Sequence, residues 1–158
     1  MLTKVSKAKF RKIGGEFAIV ASLYNARYVD AMVYAARAEL KRAGAKVRVI
    51  RVPGAYEIPL VASRLATATP ALTAVICLGV VLRGETVHAA HIGEAVSQAL
   101  MRIQVDSSVP VIHEVLLLEN EEQARVRCLG RKHNRGAEAA QTAIAMAGVM
   151  KSIGPDTF

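Results

Sequence analysis

The chain has 158 residues, a length typical of one domain with a substantial core, and its 53% content of apolar residues excludes a disordered chain. No apolar run approaches the roughly 20 residues needed to cross a bilayer, which excludes a membrane-spanning protein. The net charge of +8 is compatible with nucleic acid or small anions, but three Phe, four Tyr and no Trp leave little for base stacking, which argues against nucleic acid.

Residues 1–15 are rich in Lys and Arg and predict an extended N-terminal arm, followed by a single domain over residues 16–158. The arm lacks the apolar segment of a signal peptide, which predicts a cytoplasmic protein. Cys77 and Cys128 lack the spacing of a metal site, and we expect both to be free thiols.

The first half of the chain alternates strand and helix patterns. A strand is predicted at residues 16–22, and the helix after it is expected to be capped by Asn25 and ended by Gly44. Residues 46–52 alternate basic and apolar side chains, as an edge strand does. Pro53 and Gly54 end that strand, and a further helix is predicted at residues 57–68.

The central stretch begins at residues 74–82, which are apolar and rich in β-branched side chains and so predict a strand buried on both faces. A polar loop, residues 83–88, leads into a helical pattern over residues 89–107. A loop between a strand's carboxyl end and a helix's amino end favours anions, and His88 could carry a proton there. An ordinary turn with an exposed histidine is the equal alternative.

The last part of the chain repeats this pattern. A fourth strand is predicted at residues 109–118, and a short helix capped by Asn120 ends near Cys128. A basic loop at residues 129–136 leads to an alanine-rich helix at residues 137–153. Its apolar side chains at helical spacing predict a packing stripe of Ala139, Thr142, Met146, Val149, Met150 and Ile153.

Strands that alternate with helices predict an α/β fold. We expect a three-layer αβα sandwich with a flavodoxin-like four-stranded parallel sheet of order 2-1-3-4. Neither a GxGxxG motif after the first strand nor a GxxxxGK[ST] motif is present, which argues against nucleotide binding by those devices.

The carboxyl ends of the first three strands are expected to share one rim, where ligands bind in open α/β sheets. That rim would carry Tyr24 and Asn25, residues 53–57 and residues 83–88. An aromatic face, a carboxylate, an anion-binding loop and a histidine together predict a pocket for a flat hydroxylated molecule and a phosphorylated one. Taken singly, Tyr24 and Tyr56 could be packing residues and Glu57 a helix-start residue.

Five motifs carry a resemblance to a known family: VPGAYEIP at residues 52–59, LGVVLRGETVH at 78–88, VPVI at 109–112, NEEQARVR at 120–127 and HNRGAEAA at 133–140. In this order and spacing, over residues 16–149, they resemble lumazine synthase. The resemblance implies condensation of 5-amino-6-ribitylaminouracil with 3,4-dihydroxy-2-butanone 4-phosphate to 6,7-dimethyl-8-ribityllumazine, the penultimate step of riboflavin biosynthesis.

The resemblance also implies residue roles. It assigns the pyrimidine ring to Tyr24 and His113 with Asn25 close by, the ribityl chain to Ala55, Tyr56 and Glu57, and the pyrimidinedione edge to the backbone of Val81 and Leu82. It assigns the phosphate to the amides of Glu85 and Thr86 and to Arg127, proton transfer to His88, and a further substrate contact to Arg135, where the family usually has lysine.

The implied partners are the two small-molecule substrates and further copies of the chain. Because the substrate amine is the nucleophile, the reaction needs no cofactor and no metal. The family's assembly is a homopentamer with sites shared between neighbours, which can extend to a decamer or a 60-subunit shell, with riboflavin synthase as a candidate partner. The resemblance implies neither a nucleic acid nor a membrane.

Three departures from the family pattern put the catalytic rate in question. Ala90 stands where the family usually has an acid after the histidine, His113 replaces a common Phe, and Leu23 replaces a frequent Arg. The main alternative is therefore a weak or inactive shell or scaffold protein of the same fold. A basic nucleic-acid-binding domain, based on residues 131–135, is a second alternative.

Overall fold

The computed structural model describes residues 12–154, so most of the predicted arm, residues 1–11, lies outside the described residues. In chain order the elements are β1 (Glu16–Ser22), α1 (Ala26–Arg42), β2 (Lys46–Val52), a 3-10 turn (Ala55–Glu57), α2 (Ile58–Ala68), β3 (Leu72–Leu82), α3 (His88–Ser107), β4 (Val111–Leu118), α4 (Glu121–Cys128) and α5 (Arg135–Ser152).

The four strands form one parallel sheet in the order β2-β1-β3-β4, which confirms the predicted topology. Side chains of β1 alternate between two apolar cores, so that Phe17 and Ile19 pack on one face while Ala18 and Val20 pack on the other. The first core lies under α1 and α5, and the second lies under α2 and α3. The predicted three-layer αβα sandwich is therefore confirmed.

The strand β3 extends beyond its neighbour β1. Pairing between these strands ends at Ala21 and Leu78, whereas pairing between β3 and β4 continues to Leu82 and Leu118. Since β3 is the longest strand, its last four residues form an overhang with β4 on one side and no strand on the other. This overhang lies at the rim where β1 and β2 also end.

The helices α1 and α5 approach closely at Gly136. A Cβ atom on Gly136 would lie 2.0 Å from the carbonyl oxygen of Met32, so any side chain there would collide with the α1 backbone. The residues of α5 that face this contact are small, namely Ala139, Ala140 and Ala143. The predicted stripe was wrong at Thr142, Val149 and Ile153, which are exposed, because close helix packing selects small side chains over large ones.

Of three predictions for helix ends, the structure confirms two and contradicts one. Gly44 adopts the predicted left-handed conformation with φ of +76°, and Asn120 caps α4 by accepting a hydrogen bond from the Gln123 amide. The side-chain capping expected of Asn25 was wrong, since that side chain makes no cap hydrogen bond. No helix in the described part of the chain is long and apolar enough to cross a membrane.

Candidate active site

Hydrogen bonds join the first two loops at the sheet rim. The Leu23 amide donates to the Val52 carbonyl at 2.8 Å, and the Tyr24 amide donates to the Pro53 carbonyl at 3.1 Å. The carboxamide of Asn25 joins the first loop to the third strand, because its Nδ2 donates to the Val80 carbonyl at 2.7 Å. The rim of β1, β2 and β3 is thus one connected surface.

Two tyrosine rings stand on this surface. Tyr24 is 69% exposed and Tyr56 is 65% exposed, so both rings offer aromatic area to a ligand or to another chain. The Tyr24 ring packs against Gly54, where an added Cβ atom would lie only 3.0 Å from ring carbon Cδ2. Glycine at position 54 therefore leaves room for the Tyr24 ring to pack against the second loop.

The segment Ala55–Glu57 is a 3-10 turn that leads directly into α2. One carboxylate oxygen of Glu57, Oε2, accepts a hydrogen bond from the Gly54 amide at 2.8 Å and holds the turn closed. No hydrogen bond from a residue within 12–154 reaches the other oxygen, Oε1. Glu57 can therefore both shape the turn and accept a hydrogen bond from a ligand hydroxyl.

The third loop, residues 83–88, is exposed along its whole length. Arg83 fixes its start, donating from its amide to the Leu118 carbonyl at 2.7 Å and from its guanidinium to Glu119 at 2.8 Å. The Thr86 hydroxyl accepts a long hydrogen bond of 3.4 Å from the His88 amide, at the first residue of α3. Within residues 12–154, the amides of residues 84–86 donate to no other group, so they are available to an anion.

His88 itself is exposed and has no carboxylate partner among the described residues. Position 90 holds alanine and not an acid, so it supplies no carboxylate that could orient the His88 imidazole. No cluster of three or more His, Cys, Asp or Glu side chains in the described part of the chain could hold a metal ion. The chemistry available at this loop is anion binding and proton transfer.

Three predicted site residues lie elsewhere in the chain. His113 pairs in register with Cys77, whereas Leu82 pairs with Leu118 at the rim. Five residues of strand separate these levels, which is about 16 Å. Arg127 and Arg135 lie on α4 and α5, and the charges of both act on Glu114, four residues or about 13 Å below the end of β4.

His113 projects from β4 toward α3. Its Nδ1 accepts a hydrogen bond from the Val115 amide at 3.3 Å, which leaves Nε2 as the protonated nitrogen of a neutral ring. Nε2 therefore donates to the Ser97 hydroxyl at 2.7 Å, and that hydroxyl donates to the Gly93 carbonyl. Although His113 is an exposed residue, partial desolvation of its ring lowers its pKa and favours the neutral form.

Arg135 is held by two carboxylates that sequence reasoning did not single out. Its guanidinium binds Glu114 through Nε at 3.0 Å and Nη2 at 2.8 Å, and it binds Glu138 through Nη1 at 2.8 Å. Burial raises the pKa of Glu114, and the guanidinium groups of Arg135 and Arg127 offset part of this rise. An acid in an otherwise apolar strand was the signal that could have identified Glu114.

Comparison with known proteins identifies the family. Residues 14–151 match the family model of 6,7-dimethyl-8-ribityllumazine synthase. The chain belongs to this family.

Relatives named 6,7-dimethyl-8-ribityllumazine synthase support the same assignment. The protein of Stenotrophomonas maltophilia is 44% identical over 140 residues, covering 87% of this chain and 90% of the relative. The protein of Xylella fastidiosa is 40% identical over 146 residues, covering 90% of this chain and 94% of the relative. Among solved structures, a de novo designed Rossmann fold protein is 14% identical with a TM-score of 0.38, covering 70% of this chain and 89% of that chain.

Membership of the 6,7-dimethyl-8-ribityllumazine synthase family confirms the family predicted from the five motifs. It identifies the chain as an enzyme of the transferase class and does not favour the alternative of an inactive shell or scaffold protein. The family name does not by itself assign roles to residues, and the geometry above is the basis for those.

Proposed function

We propose that this chain condenses 5-amino-6-ribitylaminouracil with 3,4-dihydroxy-2-butanone 4-phosphate, forming 6,7-dimethyl-8-ribityllumazine with loss of phosphate and water. The observation that carries the proposal is the connected rim, where Asn25 binds the Val80 carbonyl and the Tyr24 amide binds the Pro53 carbonyl. These bonds bring an aromatic face, a carboxylate and a loop of free amides to one surface, as this pair of substrates requires.

The pyrimidine substrate is assigned to the first two loops and to the end of β3. Its ring lies against Tyr24 beside Asn25, and its ribityl chain lies along residues 55–57. Its dione edge meets the backbone of Leu82, whereas the peptide groups of Val81, which the resemblance also assigns to this edge, face β4. Support comes from the exposed Tyr24 ring and from the free Oε1 of Glu57, which can accept a hydrogen bond from a ribityl hydroxyl.

The phosphate of the second substrate is assigned to the third loop and to Arg127. The unpaired amides of Glu85 and Thr86 stand before the positive end of α3, where an anion is stabilised by both the N–H groups and the helix dipole. An exposed guanidinium adds charge-assisted hydrogen bonds to the same phosphate.

The reaction needs modest chemistry from the protein. The substrate amine attacks the ketone to form an imine, phosphate leaves, and ring closure with dehydration follows. His88 transfers protons in these steps, a contribution typically of ~10²–10⁴-fold. Holding two substrates together can contribute a further ~7–11 kcal/mol, so the absence of an acid at Ala90 is compatible with activity.

We infer that the complete site lies between two copies of the chain in a homopentamer. His113 and the Glu114 partner of Arg135 lie about 13–16 Å along β4 from its rim end, whereas His88 and Thr86 lie at the rim, so we assign the two sets to neighbouring copies. A head-to-tail ring brings one patch of each chain against a different patch of the next. Decamers and 60-subunit shells are larger assemblies of the same pentamer.

A cytoplasmic location is part of this proposal, and the free thiols of Cys77 and Cys128 are compatible with it. Riboflavin synthase, as the enzyme that would use the product, is the partner we propose.

Product formation tests the proposed function directly. Purified protein is incubated with both substrates, and the lumazine is measured by its optical absorption and by its mass. Reactions that lack either substrate are the controls for the spontaneous reaction and for carried-over product. Product above the uncatalysed rate supports the proposal, and a rate equal to that of buffer contradicts it.

A further inference from the structure

The overhang of β3, residues 79–82, presents peptide groups alternately to its two sides. The Val75 amide donates to the Pro110 carbonyl at 2.9 Å, and the Arg83 amide donates to the Leu118 carbonyl at 2.7 Å. Odd-numbered residues of β3 therefore face β4, and by alternation Val80 and Leu82 face the side that β1 has left. On that side the overhang has no strand to accept or donate hydrogen bonds.

Asn25 fills the first place that β1 leaves open. Its Nδ2 donates to the Val80 carbonyl at 2.7 Å, and Val80 is only 2% exposed. Without this bond the carbonyl would be buried and unpaired, which is costly. The carboxamide thus gives Val80 the kind of hydrogen bond that β1 gives to the residues of β3 that precede Gly79.

The backbone of Asn25 holds the carboxamide in place. The residue has φ of 56° and ψ of 39°, a left-handed conformation that asparagine tolerates better than most side chains. Its carbonyl accepts hydrogen bonds from the amides of Tyr28 and Val29 and so starts α1. A strained residue fixed at a helix start is a rigid support for a bond to a neighbouring strand.

Leu82 is the next residue of the overhang that faces the open side. It is half-buried, and its N–H and C=O offer one donor and one acceptor at the rim. The edge of a pyrimidinedione carries complementary C=O and N–H groups. A strand end held in an extended conformation presents these two groups at a fixed spacing.

We propose that Asn25 is a positioning residue, whose carboxamide replaces β1 as the partner of β3 and holds the peptide groups of Leu82 ready for the pyrimidinedione edge. The inference rests on the proposed function for the identity of the ligand. It gives Asn25 a task that is independent of direct contact with the substrate, so it can be tested without substrate.

Two substitutions separate the hydrogen bond from the backbone conformation. Asn25→Asp keeps the shape and the tolerance of positive φ but places a carboxylate oxygen against the Val80 carbonyl, where it cannot donate. Asn25→Gly keeps the positive φ and removes the side chain. The matched control is Asn120→Asp, which retains the α4 cap because the cap oxygen only accepts a hydrogen bond from the Gln123 amide.

The first measurement is hydrogen–deuterium exchange of the peptide that spans residues 78–84 in substrate-free protein. We expect faster exchange in Asn25→Asp and Asn25→Gly, and exchange at the wild-type rate in Asn120→Asp. Unchanged exchange in both Asn25 variants, with folding confirmed by circular dichroism, would overturn the proposal. This arm stands even if the wild-type chain makes no lumazine.

The second measurement is steady-state kinetics with each substrate varied in turn. We expect the KM for the pyrimidine to rise roughly three- to tenfold in both Asn25 variants while the KM for the sugar phosphate stays constant, as for loss of one hydrogen bond. Acidification should partly restore Asn25→Asp, since a protonated carboxyl can donate to the Val80 carbonyl, and should not restore Asn25→Gly. A raised KM without faster exchange would instead make Asn25 a direct substrate contact and overturn the positioning role.

Discussion

The carboxylate of Glu114 and the guanidinium of Arg135 face each other through two parallel hydrogen bonds, from Nε to Oε2 and from Nη2 to Oε1. Glu114 is buried in the edge strand β4, and Arg135 is the first residue of α5, so the pair fastens this helix to the sheet. Glu122 and Arg125 make the same two-bond contact on the surface of α4. The two pairs therefore differ in burial rather than in geometry.

Glu114→Gln is expected to lower the free energy of unfolding by about 1.5–3 kcal/mol, the range for hydrogen bonds to charged groups. The reason is that Arg135 is left with a half-buried charge and a weaker partner. Urea unfolding followed by circular dichroism measures the change. The control is Glu122→Gln, which removes an exposed pair of the same geometry and should change stability little. Equal losses in the two variants would mean that burial adds nothing to the Glu114 pair.

Gly136→Ala is expected to destabilise the protein by about 1–3 kcal/mol or more, because the new methyl group overlaps the Met32 carbonyl and forces α1 and α5 apart. Thermal unfolding measures the effect. Gly148→Ala, on the same helix with no atom within 4 Å of the new Cβ, should instead stabilise by about 0.5–1 kcal/mol through helix propensity. Stabilisation by both substitutions would show that the two helices are farther apart than described.

Arg127→Ala is expected to raise the KM for the phosphorylated substrate by roughly 10–100-fold with a smaller effect on the pyrimidine, since a charge-assisted contact of ~1.5–3 kcal/mol is lost. Steady-state kinetics with each substrate varied in turn measures this. Arg125→Ala is the matched control, because Arg125 lies on the same helix but is engaged by Glu122. An unchanged KM in Arg127→Ala would remove Arg127 from the phosphate site.

His113 is expected to make stability depend on pH. Because burial lowers its pKa below 6.5, the folded protein binds this proton less readily than the unfolded chain. The contribution of His113 to the free energy of unfolding is therefore highest above pH 6.5, and it decreases as the pH falls through the lowered pKa of His113. Protonation also removes the acceptor that Nδ1 offers to the Val115 amide.

The corresponding measurement compares wild type with His113→Phe in urea at several pH values from about 8 to about 5, the range in which histidine changes charge. The stability of the Phe variant relative to wild type should increase as the pH falls. His91→Gln removes an exposed histidine of α3 whose ring makes no hydrogen bond to a described residue, and serves as the control. A parallel pH dependence in wild type and His113→Phe would contradict the assignment.

Mixing two impaired variants, assayed at a concentration of the phosphorylated substrate below the raised KM, tests the shared site. His88→Ala and Arg127→Ala proteins are unfolded together, refolded in equal amounts and assayed. If each site draws His88 from one chain and Arg127 from its neighbour, about a quarter of the sites regain both residues. Light scattering should give masses in multiples of five chains. Absence of recovery despite proven mixing would place the whole site within one chain.

The strands and their order could be predicted from the sequence, whereas contacts between residues distant in the chain could not. The apolar run at residues 74–82 and the alternating basic residues at 46–52 predicted a central and an edge strand, because burial on two faces or one leaves a direct pattern in the sequence. Gly44 and Asn120 likewise acted as predicted, since a left-handed turn and a helix cap depend on neighbouring residues alone.

Residues whose partners are distant in sequence could not be predicted in the same way. Asn25 precedes a helix and so resembles a cap, but its partner Val80 lies 55 residues away. Gly136 and the small residues of α5 pack against Met32, and helical spacing alone does not reveal how close two helices come. The pairing of Glu114 with Arg135 depends on the same long-range arrangement.

The distance along β4 between the rim and the level of His113 and Glu114 has a thermodynamic consequence. In the proposed pentamer a ligand that contacts both residue sets would contact two chains, so its binding free energy would also favour association of those chains. By reciprocity, a contact between subunits that stabilises the proposed ring would also raise the affinity for the substrate. Substitutions on helix surfaces that do not contact the ligand would then change substrate affinity through their effect on the quaternary structure. Selection for substrate affinity would therefore also act on these surfaces.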